Sequence, residues 1–224
     1  MVINVHAGHN PDGKTACGAV GLIKESTEAR NVKNEVIRQL QLLGHTVYDC
    51  TCDDGKNQTD VLNKIIAKCN AHKVDLDVSI HFNSGVKDLT GNGVTTGTEV
   101  YLYSDKSKAK DTAKKVVDAI ASIGYKNRGV KYRTDLAYLR KTKYPAMLIE
   151  CCFVDDTDDV KLYNVSSMAS AIVKGIAGQA YVEPVKADKN TLYTVKVGAF
   201  KNKANAEKLR ADLISKGYQA YISQ

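Results

Sequence analysis

Apolar positions recur along this chain in two alternating rhythms. Residues 2–6, 45–50, 76–82, 98–103 and 146–154 are short apolar or β-branched runs of strand length. Between them, residues 27–43, 60–71 and 106–123 carry apolar side chains three and four apart, as amphipathic helices do. Val32, Val36, Leu40 and Leu43 mark the inward stripe of the first helix, which stops at Gly44, and the third stops at Gly124. Residues 160–180 read as a closing helix, and the Gly- and Thr-rich stretch 85–97 as a surface loop. Strands alternating with helices predict an α/β fold, a mainly parallel twisted sheet covered by helices on both faces.

The rhythm lapses over 182–191, where a proline and several charges predict a linker between a first domain, 1–181, and a small unit, 192–224. Within that unit the pattern predicts strand 193–200, helix 204–216 and strand 218–222, a small C-terminal βαβ unit. About 30 residues bury too little apolar surface to be stable alone, so the unit is expected to pair with a second copy or to act as a fragment docked elsewhere.

Composition narrows the class. The 224 residues are 43% hydrophobic and 25% charged, which suits a globular protein and excludes a disordered or fibrous one. No run approaches the roughly 18 apolar residues of a membrane span, and Met1 leads into Val2-Ile3-Asn4 without a basic or apolar leader, so no membrane span and no export signal are expected. Residues 182–224 hold eight Lys and Arg against four Asp and Glu, more than half of the net +7, which suits an anionic polymer. No nucleic-acid-binding motif accompanies that charge, so no nucleic-acid partner is expected. The six cysteines, at 17, 50, 52, 69, 151 and 152, form no C-x-x-C pair and read as free thiols of a chain folded in a reducing cytoplasm.

Ligands of open α/β sheets bind beyond the carboxyl ends of the strands. His9 follows the first predicted strand, His81 ends the third, Glu150 comes late in the apolar run 146–154, and Glu28 lies in the first turn of the first helix. Two imidazoles and a carboxylate can hold a catalytic zinc ion, with a second carboxylate serving as general base. Glu150 is notable because an unpaired carboxylate inside an apolar strand costs several kcal/mol unless a cation or hydrogen bonds compensate it, roughly as measured for broken buried pairs. Glu25, three residues before Glu28, can exchange roles with it, and His6 forms H-x-x-H with His9 but sits inside the strand. His45 and His72 fall at the opposite end of the sheet and read as surface residues. Strand alternation puts Cys152 on the face of Glu150.

Gly8-His9, Glu28-Ala29-Arg30-Asn31-Val32, Ser79-Ile80-His81-Phe82-Asn83, Asn127-Arg128-Gly129-Val130-Lys131 and the stretch from Leu139-Arg140 through Tyr144-Pro145 to Ile149-Glu150 occur in order. Over residues 1 to about 181 the chain thereby resembles the zinc-dependent N-acetylmuramoyl-L-alanine amidases of bacterial autolysins and phage endolysins. The resemblance implies one Zn2+ per chain held by His9, Glu28 and His81, Glu150 as the catalytic carboxylate, and Asn83 and Arg140 as contacts to substrate. It implies hydrolysis of the amide between N-acetylmuramic acid and L-alanine in peptidoglycan, and the missing export signal with free thiols fits an enzyme released to the wall through lysis or a phage pore. A zinc peptidase cutting the stem peptide, or a non-catalytic peptidoglycan-binding regulator, are the alternatives. The chain departs from the family in having His6-Ala7 before Gly-His where Asp-Pro is common, Asn10-Pro11 after it, and Cys151-Cys152 after the glutamate. The second unit, through Tyr193-Thr194-Val195-Lys196-Val197-Gly198-Ala199-Phe200 and Ala206-Glu207-Lys208-Leu209, resembles the first half of a SPOR domain, which implies glycan binding or completion by a homodimer.

Overall fold

The computed structural model describes residues 1–181 and 195–222 and divides the chain into two units, Met1–Val182 and Glu183–Gln224. In the first unit the order is β1 (Val2–Ala7), α1 (Glu25–Leu42), β2 (Thr46–Asp49), α2 (Gln58–Asn70), β3 (Leu76–Asn83), β4 (Thr98–Leu102), α3 (Lys110–Ala121), β5 (Asn127–Tyr132), α4 (Ala137–Lys141), β6 (Ala146–Phe153), α5 (Thr157–Leu162) and α6 (Val165–Ala177). The six strands form one sheet in the order β2-β1-β3-β6-β4-β5. Pairing is parallel except between β6 and β4, so the sheet is mixed, with β4 and β5 running against the rest.

The two faces are covered unequally. On one, α1, α3 and α6 pack Val32, Val36, Leu40, Val116, Ile120, Met168 and Ile172 against Ile3, Val5, Val78, Ile80 and Ile149, all solvent-free. On the other, α2 and α4 cover only part of the sheet, with Val61, Ile65, Cys69, Tyr138 and Leu139 over Leu148. This lighter cover leaves the carboxyl ends of β1, β3 and β6 open on that side.

The expected closing helix is two helices. Asn164 accepts from Ser167 N as the cap of α6, and Tyr163 before it is extended, so the chain turns between Leu162 and Val165. Strand β5 had no apolar run to reveal it, since Asn-Arg-Gly-Val-Lys-Tyr at a sheet edge buries no residue fully. The stretch 85–97 is a loop held by carboxylates. Asp155 accepts from Gly85 N and Lys87 N, Asp158 from Asn92 N and Gly93 N, Asp156 from Thr96, and Asp159 from Gly97 N and Phe153 N.

A register shift interrupts β3 and β6: His81 pairs with Glu150 but Asn83 pairs with Phe153, so Cys151 and Cys152 both oppose Phe82. The bulge breaks the alternation that would have put Cys152 beside Glu150. Both cysteines pack in the core of the α1, α3 and α6 face.

In the second unit the described residues hold one helix, α7 (Lys203–Ser215), capped by Asn202, and none of its residues is buried. The expected linker and the start of the first expected strand lie outside the described residues. Residues 195–200 and 218–222 form no ladder among the described residues, and Val195, Val197, Tyr218 and Tyr221 stand exposed.

Candidate metal centre

The first turn after β1 brings His9 to the sheet's open edge with a left-handed backbone, φ 63°, a conformation that a non-glycine residue adopts only when its surroundings enforce it. Arg30, one turn and a half into α1, supplies that restraint. Its guanidinium donates to His9 O at 2.9 Å, Cys52 O at 3.1 Å and Ser26 O at 2.9 Å, and pairs with Asp53 at 2.6 Å. Asn10, fully buried, donates to Thr15 O and Gly55 O and accepts from Gly55 N, which ties the same turn to the loop after β2.

His81 comes from the end of β3 and Glu25 from the first residue of α1. One ligand atom from each of His9, Glu25 and His81 lies within 4.8 Å of the others. Glu25 Oε1 is 2.9 Å from His81 Nδ1 and 3.3 Å from His9 Nε2, and the two imidazoles stand edge to face with centroids 4.9 Å apart. Burial works against charge on Glu25, but the hydrogen bonds from His81 and then His9 outweigh it and hold this carboxyl well below the usual range. Burial pushes His81 down, toward the neutral form that a metal ligand needs. Two glycines make room for the group. A Cβ on Gly8 would lie 2.1 Å from His81 Cε1, and one on Gly18, whose φ is +79°, would lie 2.5 Å from Glu25 Oε2.

Glu150 stands beside His81 in the ladder and lines the same cavity of about 440 Å³. Its Oε2 is buried without a hydrogen-bond partner. Burial, then the charges of Glu25 and Glu99, push its carboxyl well above the ordinary range. Glu99, its neighbour on β4, has a different environment: it accepts from Arg128 Nε at 2.6 Å and Asn83 Nδ2 at 2.9 Å, and also from Lys131 and Tyr101. These donors overcome the cost of burial and draw its pKa down to about 2. A carboxyl depressed in the fold stabilises it above the unfolded value of 4.5, and that stability is lost as pH falls from there toward 2. Glu99→Gln is therefore expected to flatten the loss of stability between those pH values, by up to about 3 kcal/mol, in urea unfolding followed against pH. An unchanged acid limb would contradict this.

A family model described as N-acetylmuramoyl-L-alanine amidase matches residues 3–179. The chain belongs to that family. A SPOR domain model matches residues 189–224. Among curated relatives of this amidase-family chain, an uncharacterised protein of Clostridium perfringens is 38% identical over 164 residues, 73% of this chain and 47% of its own. The N-acetylmuramoyl-L-alanine amidase CwlM of Bacillus licheniformis is 31% identical over 169 residues, 74% of this chain and 63% of its own. The chain thus spans about half the length of the first of these relatives. The catalytic domain of the CD27L endolysin targeting Clostridia difficile superposes with a TM-score of 0.71 at 25% identity, covering 80% of this chain and 98% of that one.

The amidase fold brings together His9, His81 and Glu150, and Asn83 also lines the cavity. Two of the residues expected at the site lie elsewhere. The carboxylate between the imidazoles is Glu25, not Glu28. Glu28, one turn further along α1, accepts from Tyr163 OH at 2.9 Å and Asn31 Nδ2 at 3.1 Å. Arg140 does not line the cavity; it donates to the backbone carbonyls of Thr134 and Asp135, and Arg133 is the arginine at the rim. Sequence reasoning also missed Glu99, a strand glutamate within an alternating run.

Proposed function

We propose that this chain hydrolyses the amide bond joining N-acetylmuramic acid to L-alanine in bacterial peptidoglycan, using one zinc ion held by His9, Glu25 and His81. The convergence of those three side chains beside Glu150, whose Oε2 is buried without a partner, carries the reading. The donor set fits the ion: two imidazoles and one carboxylate are a common protein complement for catalytic zinc. When bound, zinc supplies a Lewis acid that polarises the scissile carbonyl and acidifies water.

The protein's own groups do the rest. Glu150, which a cation beside it would hold ionised, accepts a proton from the attacking water and delivers it to the nitrogen of L-alanine as the amide breaks. Glu150 lines the cavity beside His81, which places its carboxyl next to the group that would hold the ion. Glu25, placed between the two imidazoles, brings the one carboxylate of the set and so a negative charge that would offset a cation's. Asn83, tethered to Glu99, presents a polar wall to the substrate at the cavity edge.

The SPOR match and the basic C-terminal segment support assigning residues 189–224 to wall binding, or to pairing of two chains through the exposed apolar residues of that unit. Sedimentation showing a dimer would support pairing; a strict monomer would remove it. All six cysteines are free and five are buried, which supports folding in a reducing cytoplasm before release to the wall. Among the described residues no helix is long and apolar enough to cross a membrane. Titration of metal-stripped protein with zinc should give one site per chain, with activity on cell walls restored in the same proportion. No zinc binding would contradict the proposal.

A further inference from the structure

The stretch Asn127-Arg128-Gly129-Val130-Lys131 lies in the edge strand β5, and none of it lines the catalytic cavity. Its two cations meet at one carboxylate instead. Arg128 and Lys131 are three positions apart, so plain alternation would send them to opposite faces of the sheet. A register shift opposite Glu99, between Thr98 and Val100, and Gly129 at φ +81° bring both to Glu99, with Arg128 Nε at 2.6 Å.

Glu99 pairs with Glu150 across the ladder and so stands on the same face of the sheet. It is buried, and both its oxygens are fully used. Oε2 accepts from Arg128 and Lys131, while Oε1 accepts from Tyr101 OH and from Asn83 Nδ2 at 2.9 Å. A carboxylate has about four lone-pair sites, so Glu99 has none left for a proton of water and cannot do the work of Glu150.

Two of the donors, Asn83 and Tyr101, line the cavity. The amide of Asn83 is fixed at both ends. Nδ2 donates to Glu99, Oδ1 accepts from Ser84 N at 2.9 Å, and the two contacts demand the same orientation of the amide. An amide nitrogen carries two hydrogens, and among the described residues the second has no partner. Glu99 therefore decides which end of this amide is the donor at the cavity wall.

We propose that Glu99 is a positioning residue for the hydrolysis: anchored by Arg128 and Lys131, it holds Asn83 so that the unspent N–H is offered to a carbonyl oxygen of the substrate. This rests on the function proposed above. Glutamine at position 99 has a single oxygen, and the two cations claim it, because charged donors make the stronger bonds. Its amide nitrogen then faces Asn83, donor against donor. Asn83 must withdraw, or turn over and set its own N–H groups against Ser84 N.

A double-mutant cycle on purified cell walls tests this, with kcat/KM taken from the release of L-alanine amino termini at a temperature where every variant is folded. Asn83→Ala and Glu99→Gln should each lower kcat/KM about tenfold, the size of one hydrogen bond, while zinc content stays at one per chain. The double variant should be no slower than the slower single one, because Glu99 acts through Asn83. Losses that multiply to about a hundredfold would show Glu99 supporting the fold alone and overturn the proposal. Full activity in Asn83→Ala or in Glu99→Gln would overturn it as well. Glu99→Asp keeps a charge for Arg128 and Lys131 but is one methylene too short for Asn83, and it takes the place of Glu99→Gln if that variant does not fold. Wild type that releases no L-alanine termini would overturn the proposed function, and the role of Glu99 with it.

Discussion

Glu150→Ala is expected to lower turnover on cell walls by about three orders of magnitude, within the range for loss of a general acid and base. Zinc content should be unchanged, because the residues that surround the ion's place are His9, Glu25 and His81. Glu150 is anchored by its strand, paired with His81 on one side and Glu99 on the other, so removing its side chain leaves the ladder intact. The unpartnered Oε2 also means that no protein donor is orphaned by the change. Fold stability is thus expected to hold or rise as a buried carboxyl is removed. Steady-state rates and metal analysis on the same preparation check this; retained turnover would remove Glu150 from its role.

The second large effect separates two glutamates one helical turn apart. Glu25→Ala is expected to cost the protein its zinc at micromolar concentrations and, with it, nearly all activity. Glu28→Ala should keep both, since its carboxylate serves Tyr163 and Asn31. Loss of the bond to Tyr163 should cost about 1 kcal/mol of stability at most, as that pair is only part-buried. Competition for zinc against a chromophoric chelator measures both variants. Zinc loss in Glu28→Ala with retention in Glu25→Ala would reverse the assignment.

This pair shows where the sequence stopped being informative. Residues three apart on a helix share a face, so the pattern alone cannot say which one reaches the centre. The choice is made by contacts outside the helix, Gly18 leaving room for Glu25 and Tyr163 claiming Glu28. His9, His81 and Glu150 were legible because the carboxyl ends of strands are set by apolar runs that the sequence displays. Cys152 fills the core and does not share the face of Glu150 that alternation gave it, because one bulge turned both cysteines inward. Strand β5 escaped because an edge strand needs no apolar stripe, and Arg140 because its loop, not its helix, holds its guanidinium. His6, half of an H-x-x-H pair with His9 in the sequence, stays in its strand edge-on to Tyr138, outside the group formed by His9, Glu25 and His81.

The central claim concerns which bond breaks. Purified cell walls digested with the protein, and the new chain ends assigned by mass spectrometry, test it most directly. The account predicts free L-alanine amino termini and muramic acid bearing free lactyl carboxylates, both abolished by a chelator and restored by zinc. New termini within the stem peptide, or release of fragments with intact muramoyl-alanine bonds, would contradict it.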